Sequence, residues 1–450
     1  MPENYKKFLV YIVLYAITTS IIYSVFVLTP HVTHQYPLLR KIIIFFASIL
    51  LTKYFSYMLI SPWHDVQVAL DRRERLREIH NYRPLVSVMI PAWNEEVGVL
   101  HTIKDILRSN YRNVEIVVVN DGSTDNSDTM IRNFIAEYET VHANDTDRMK
   151  ILYHFKENEG KGAALNTAIA LSSGEILISI DADCSVPKTT IGNFVSYFAN
   201  PKVMAAVGNV KVGNTKSLIG VIQYLEFLFS FYFKKADSVM NTIYIIGGAA
   251  GAFRRSTLEQ VGGYHTKNIT EDIELSVRIQ QAGLKIVYAA DAVVYTEGAS
   301  DIKSLMTQRL RWKSGRFQTF AQHRSLFFSF KKGHNKILSW LVLPLAYFGE
   351  LQLSLELFFL AFLYVYSFMV SDFSSFISGI IVVGSMFFIQ MVFDNKSTNK
   401  ASFYLLMPIG WLLFYVATFV ELTALVKSLW IMGRKRELKW QRWQRQGVNS

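Results

Sequence analysis

The chain has 450 residues, 51% of them hydrophobic, with 32 Phe against 10 Pro and a formal net charge of +11. That length exceeds one ordinary domain, and the single cysteine, Cys184, excludes an intramolecular disulfide and any cysteine-built zinc site. The positive charge suits a cytoplasmic membrane face, anionic lipid or an anionic substrate; no basic face with interleaved aromatics speaks for nucleic acid.

In chain order, residues 8–29 carry no charge and are long enough, at about 1.5 Å per residue, to span a hydrocarbon layer of roughly 30 Å. The stretch is long for a signal peptide and no small-x-small cleavage site follows it. A second apolar segment, 42–60, is interrupted only by Lys53, Tyr54 and Tyr57. The pair predicts a transmembrane hairpin over 1–64. The composition then becomes charged, and a soluble-looking region runs over 65–332 with its core at 84–320. Apolar runs resume at 337–370, 374–393 and 402–420, predicting a transmembrane bundle over 333–432, and a basic tail with Trp440 and Trp443 closes the chain over 433–450.

Arg72, Arg73, Arg75 and Arg77 open the insert and Lys331, Lys332 and Lys336 close it, which places it in the cytoplasm of a multi-pass inner or plasma membrane protein. A basic tail on the same side calls for an even number of crossings after the insert. Three are clear, and 337–370 either splits at Gly349-Glu350 into two short spans or lays its first half in the interface.

Within the insert, 85–93 reads as a strand, a helix follows from Glu95, 114–121 is a strand, and a capped helix begins near Ser123. MKILYHF is a third strand, a Gly-rich turn leads to a helix from Ala163, and 176–180 is a fourth strand. Residues 217–239 form a long aromatic helix packed either on the membrane face or in the domain core. This alternation predicts a largely parallel α/β sheet, with ligands bound beyond the carboxyl ends of its strands.

Those ends carry Pro91-Ala92-Trp93-Asn94-Glu95, Asn120-Asp121-Gly122-Ser123 and Asp181-Ala182-Asp183. Asp181 and Asp183, one residue apart on a strand of period two, face the same way and repel unless a cation lies between them. Each motif alone also reads as an ordinary turn or helix cap. Acids recurring on one edge, without matching fixed cations, suggest a hard divalent metal shared with phosphates. Lys161, between Gly160 and Gly162 at a helix start, is suited to meet those phosphates. Farther on, Thr270-Glu271-Asp272 begins an amphipathic helix, where acids also serve as dipole partners, and QRLRW contains residues that can equally be interface anchors. Glu350, Gln352, Glu356, Gln390 and Glu421, in or beside apolar segments, line a channel, bond between helices or lie at the interface.

Taken together, PAWNEE (91–96), VNDGSTDNS (119–127), NEGKGAALN (158–166), DAD (181–183), GGAAGAFRRS (247–256), ITEDIELSVRI (269–279) and QRLRW (308–312) resemble the GT-A catalytic domain of family 2 glycosyltransferases. The likeness covers roughly 84–320 and is strongest to the processive membrane branch that makes cellulose, chitin, hyaluronan and poly-N-acetylglucosamine. It implies a Rossmann-like cytoplasmic GT-A domain inserted between an N-terminal transmembrane hairpin and a C-terminal transmembrane helix bundle. It also implies that Asp121 binds the uridine of a UDP-sugar and that Asp181 and Asp183 serve the nucleotide and Mg²⁺ or Mn²⁺. Lys161 would approach the diphosphate, Asp272 would be the general base, and Gln308, Arg311 and Trp312 would close over the pyrophosphate and the acceptor. Ala92, Glu95, Gly248 and Glu271 join the substrate-binding set.

The implied activity is inverting polymerisation of UDP-GlcNAc into poly-β-1,6-N-acetylglucosamine, with a growing polysaccharide as acceptor, export through the bundle, lipid around it and a small membrane accessory subunit as a further partner. Hyaluronan, chitin or cellulose synthesis stays open. A non-processive enzyme acting on a lipid carrier is opposed by QRLRW, and a non-catalytic export scaffold by the joint presence of Asp121, Asp181, Asp183, Asp272 and Trp312.

Overall fold

The computed structural model describes residues 37–371, 373–394 and 407–434 and a few isolated positions. The predicted first span lies outside the described residues except at Ile12, Val13, Ala16 and Thr19, which are helical, and Trp440 and Trp443 lie outside them as well.

Among the described residues seven strands form one sheet: β1 (Val86–Ala92), β2 (Val114–Asp121), β3 (Lys150–Lys156), β4 (Ile176–Ser179), β5 (Val203–Val212), β6 (Gly251–Arg254) and β7 (Lys285–Thr296), in the order β3-β2-β1-β4-β6-β5-β7. The helices are α1 (Pro37–Glu74), α2 (Leu76–Asn81), α3 (Val99–Leu107), α4 (Ser127–Val141), α5 (Lys161–Leu171), α6 (Thr190–Phe198), α7 (Leu218–Met240), α8 (Arg255–Val261), α9 (Glu271–Gln281), α10 (Ile302–Gln322), α11 (Leu343–Val370), α12 (Ser374–Val392) and α13 (Met407–Gly433).

The sheet is mixed rather than largely parallel, because β6 runs antiparallel to both β4 and β5. After α7 the chain returns to the carboxyl edge of the sheet, where Gly248 accepts a hydrogen bond from Ser179 at the end of β4. A strand entering from that edge must run backwards.

The central strands read as continuous apolar runs because both faces are covered. Val86, Val88, Ile90, Ile116 and Val118 pack on Ile103 and Ile106 of α3 and Ile131 of α4. Met89, Val117 and Val119 pack on Ala164, Leu165 and Ala168 of α5 and on Leu275 and Ile279 of α9. Helix α3 starts at Val99, four residues after Glu95, and α5 starts at Lys161 rather than Ala163.

The aromatic helix α7 is wedged between the sheet and the outer helices. Tyr232 and Phe233 pack with Met58 of α1 and Ile389 of α12, while Tyr224, Leu225 and Leu228 meet Phe387 and Met391. Polar ties fix it: Tyr57 donates to Asp237 at 2.9 Å and Lys235 to Asp65 at 2.8 Å. Helix α1 carries the apolar segment 42–60 and the charged residues from Asp65 onward without interruption. Helix α11 likewise runs unbroken through Gly349 and Glu350, after a π-helical turn at Leu338–Val342. Among the described residues one stretch, Tyr415–Gly433, is long and apolar enough to cross a membrane by length and composition.

Candidate active site

From β1 the chain moves outward through β2 to β3, then crosses back to place β4 on the other side of β1. The crevice at the carboxyl ends of β1 and β4 is therefore the topological switch point, where open α/β sheets bind ligands.

The first two loops at this edge are stitched together. Asn94 has a left-handed backbone (φ 57°), which asparagine tolerates, and its side-chain oxygen accepts from the amides of Thr124 at 2.7 Å and Asp125 at 3.2 Å. The Glu95 amide donates to Ser127 Oγ at 3.0 Å. Glu95 is itself buried, and Ala92 is buried in the apolar core at the end of β1.

Strand β4 ends at Ser179, so Asp181 and Asp183 ride on a turn closed by the Cys184 amide and the Asp181 carbonyl, 3.2 Å apart, not on one face of a strand. Helix α3 causes the departure. Thr102 Oγ1 lies 2.9 Å from the Ala182 carbonyl oxygen and 2.7 Å from that of Cys184. Asp105 accepts from Ser185 Oγ at 2.8 Å and the Val186 amide at 2.9 Å. A Cβ on Gly98 would stand 3.0 Å from the Ala182 oxygen, so the helix start presses on the turn. Sequence reasoning missed Thr102 and Asp105; their signal is the helical spacing 98, 102, 105, one stripe of small and polar residues.

The acidic edge does have a fixed cation. Lys161 Nζ is 2.5 Å from Asp181 Oδ1 and 3.7 Å from Glu271 Oε1. Burial alone would lower this ammonium, but Asp181, Glu271 and Asp272 outweigh it and hold it above the usual lysine range. Burial pushes Glu271 up to about 7, with Lys161 and the Arg311 guanidinium pulling the other way and Asp272 adding to the rise.

Gly248 closes the cradle. Its amide donates to Asp272 Oδ2 at 2.9 Å, and a Cβ there would fall 2.6 Å from Lys161 Nζ. Asp272 Oδ1 also accepts from the Ile273 amide at 2.8 Å, fixing the carboxylate at the start of α9.

Asp121 acts on this cluster through the Gly-rich turn. Its buried carboxylate accepts from the amides of Glu159 at 3.1 Å and Gly160 at 2.7 Å, and Asn158 Nδ2 donates to its carbonyl at 2.8 Å. Gly160 has φ 94°, a conformation that favours glycine. The turn thereby delivers Lys161 as the first residue of α5.

Helix α10 brings the QRLRW residues alongside. A Cβ on Gly315 would stand 2.2 Å from Thr270 Oγ1, so α10 crosses the start of α9 in close contact. Arg311 lies within electrostatic reach of Glu271. Gln308 is buried, and its side-chain oxygen has no hydrogen-bond partner among the described residues. One face of Trp312 is covered by the Arg309 guanidinium, 4.4 Å from the ring centre, and Phe227 lies 6.4 Å away. The structure thus gathers Lys161, Asp181, Gly248, Glu271 and Asp272, with Arg311 alongside, and sets Asp121 behind Lys161.

Among the described residues no three His, Cys, Asp or Glu side chains converge as a metal cage. Asp181 and Asp183 offer two carboxylates, and Mg²⁺ or Mn²⁺ commonly takes one or two from protein with the rest from phosphate and water. The donor set fits such an ion.

The mixed sheet, the crevice at its switch point and the acid-lysine cradle define the GT-A class of glycosyltransferase folds. The sequence pattern described as "Glycosyl transferase family 2" matches residues 87–262, and "Glycosyl transferase family group 2" matches 176–420, over half the chain. The chain belongs to the family 2 glycosyltransferases.

A poly-beta-1,6-N-acetyl-D-glucosamine synthase of Staphylococcus epidermidis is 28% identical over 326 residues, covering 70% of this chain and 76% of the relative. The probable glycosyltransferase YdaM of Bacillus subtilis is 31% identical over 265 residues, covering 58% and 61%. Among solved structures, the mannosyltransferase PcManGT from Pyrobaculum calidifontis, in complex with GDP-Man and Mn²⁺, aligns over 85% of this chain and 99% of its own with a TM-score of 0.52 and 19% identity, a likeness of fold.

Proposed function

We propose that this protein is a processive, inverting glycosyltransferase that polymerises UDP-GlcNAc into poly-β-1,6-N-acetylglucosamine and passes the product across a membrane. The observation that carries the reading is the cradle in which Lys161, Asp181, Gly248, Glu271 and Asp272 meet. Similarity to named poly-β-1,6-N-acetylglucosamine synthases supports the choice of sugar.

In this reading Asp272, oriented by the Gly248 and Ile273 amides, takes the proton of the acceptor hydroxyl as that oxygen attacks the anomeric carbon. A positioned base of this kind is worth about 10²- to 10⁴-fold. Lys161 and Arg311 meet the negative charge on the departing diphosphate. Asp181 and Asp183 would hold a divalent ion that adds positive charge there. Asp121 holds the 158–160 turn and with it the placement of Lys161, beside the nucleoside end of the site, while in this reading Gln308 and Trp312 form the wall on the α10 side and Ala92 and Glu95, buried at and just beyond the end of β1, back the donor end.

Membrane embedding is supported by the outward faces of the C-terminal helices, where Phe358, Val365, Phe368, Ile377, Phe419 and Val426 are exposed. Apolar surface of that extent calls for lipid or a partner. In this reading the catalytic domain faces the cytoplasm and the N-terminal hairpin and C-terminal helices span the membrane.

The test is to incubate the full chain in lipid with labelled UDP-GlcNAc, UDP-Glc, or UDP-GlcA with UDP-GlcNAc, and size the product. Long polymer from UDP-GlcNAc alone, cut by a β-1,6-specific hydrolase, is expected. A single sugar on lipid would assign the protein to the non-processive class.

A further inference from the structure

Helix α10 has two working stripes. On one side Gly315 packs against Thr270 at the start of α9 and Arg311 lies within reach of Glu271, with Gln308 and Trp312 on the same side by helical spacing, whereas Arg309, Lys313 and Arg316, spaced i, i+4 and i+7, lie roughly 110° away around the helix at 3.6 residues per turn. This second stripe meets carboxylates from three other helices. Arg309 pairs with Glu226 of α7 at 2.6 Å and Glu421 of α13 at 3.2 Å. Lys313 pairs with Glu350 of α11 at 2.5 Å and Glu421 at 2.8 Å, and Arg316 with Glu350 at 2.5 Å. Ser314 and Ser428 add a hydroxyl contact at 2.8 Å. Glu350 and Glu421, weighed from sequence as channel lining or interhelical ties, therefore bond to the helix that carries QRLRW.

Such a network adds little net stability, since desolvation offsets attraction. What it supplies is register: three cations and three carboxylates at these distances cannot slip by part of a turn without stranding a buried charge. Resting on the transferase reading above, we propose that Glu350 and Glu421 are positioning residues for sugar transfer, gripping α10 through Arg309, Lys313 and Arg316 so that Gln308, Arg311 and Trp312 stand correctly over the cradle. Each acts through the helix it holds.

The experiment compares wild type with Glu350→Gln, Glu421→Gln and Glu421→Asp in lipid. Three readouts are taken: hydrogen exchange of residues 302–322, thermal midpoint, and kcat and KM for the nucleotide sugar. Expected are faster exchange across α10 and a kcat lowered on the order of 10- to 100-fold, the scale of an ångström-sized misplacement. The donor KM should change by a smaller factor than kcat, because Lys161 and Asp121 are left in place and Arg311 answers charge that develops as the diphosphate departs. Glu421→Asp keeps the charge, and so folding, while shortening the reach; it should show the same pattern in milder form.

Unchanged exchange and kcat in folded variants would overturn the proposal, as would activity lost only in proportion to the unfolded fraction. Should wild type transfer no sugar from any donor, the transferase reading fails by itself, and the exchange data still decide whether the carboxylates grip α10.

Discussion

Replacing Gly248 by alanine should disable the site while sparing the fold. The backbone at 248 is not left-handed, so a side chain costs nothing in strain. The new Cβ, however, falls 2.6 Å from Lys161 Nζ and 3.6 Å from Asp272 Oδ2. The ammonium sits at the end of a flexible chain and retreats by roughly 0.8 Å to ordinary contact distance. That movement breaks the 2.5 Å contact to Asp181. A hydrogen bond between charged groups is worth about 1.5–3 kcal/mol, or roughly 10- to 150-fold in rate if it is realised in the transition state. The assay is initial nucleoside diphosphate release with and without acceptor, alongside the thermal midpoint. Because the effect runs through Lys161, Gly248→Ala should cost nothing further on a Lys161→Ala background. Wild-type turnover in Gly248→Ala, or losses that multiply in the double variant, would refute the reasoning.

Asp272→Asn should reduce transfer by about 10²- to 10⁴-fold with donor binding, measured by calorimetry, unchanged. Glu271 has a folded-state value of about 7 against 4.5, so between those pH values the folded state holds the extra proton and stability falls as pH rises; the thermal midpoint should decline across that window in wild type and less in Glu271→Gln. Gly315→Ala drives a methyl into Thr270 and should destabilise by about 1–3 kcal/mol, as overpacking does, seen as a lower thermal midpoint. Chelation with EDTA should stop sugar transfer and Mg²⁺ or Mn²⁺ restore it, measured as labelled product.

The first four strands were legible to within a residue or two because their apolar runs end in turn chemistry, 114–121 matching β2, whereas β5, β6 and β7 were not read from the sequence; Asp121, Asp181 and Asp272 all fall near the switch-point edge. Less legible was anything set by contacts distant in sequence. The reversal of β6 depends on where α7 releases the chain, which no local pattern records. The geometry of Asp181 and Asp183 is imposed by Thr102 and Asp105, some eighty residues earlier. In the sequence the acids read as uncompensated because Lys161, between two glycines, is suited to phosphate, whereas in the structure its ammonium rests on Asp181. Glu350 and Glu421 were ambiguous for the same reason, since their partners lie on another helix.

The order of the charges along the chain bears on how the protein is completed. Synthesis proceeds from the N-terminus, so Glu226 is made first, then Arg309, Lys313 and Arg316, then Glu350, and last Glu421. The cluster stands at −1, rises to +2, drops to +1, and reaches neutrality only when α13 arrives. A chain that stops short of that helix carries a buried positive charge lacking its last partner in this cluster, so α13 acts as the closing counter-charge, and chains cut before Glu421 bear an electrostatic mark that longer ones lack.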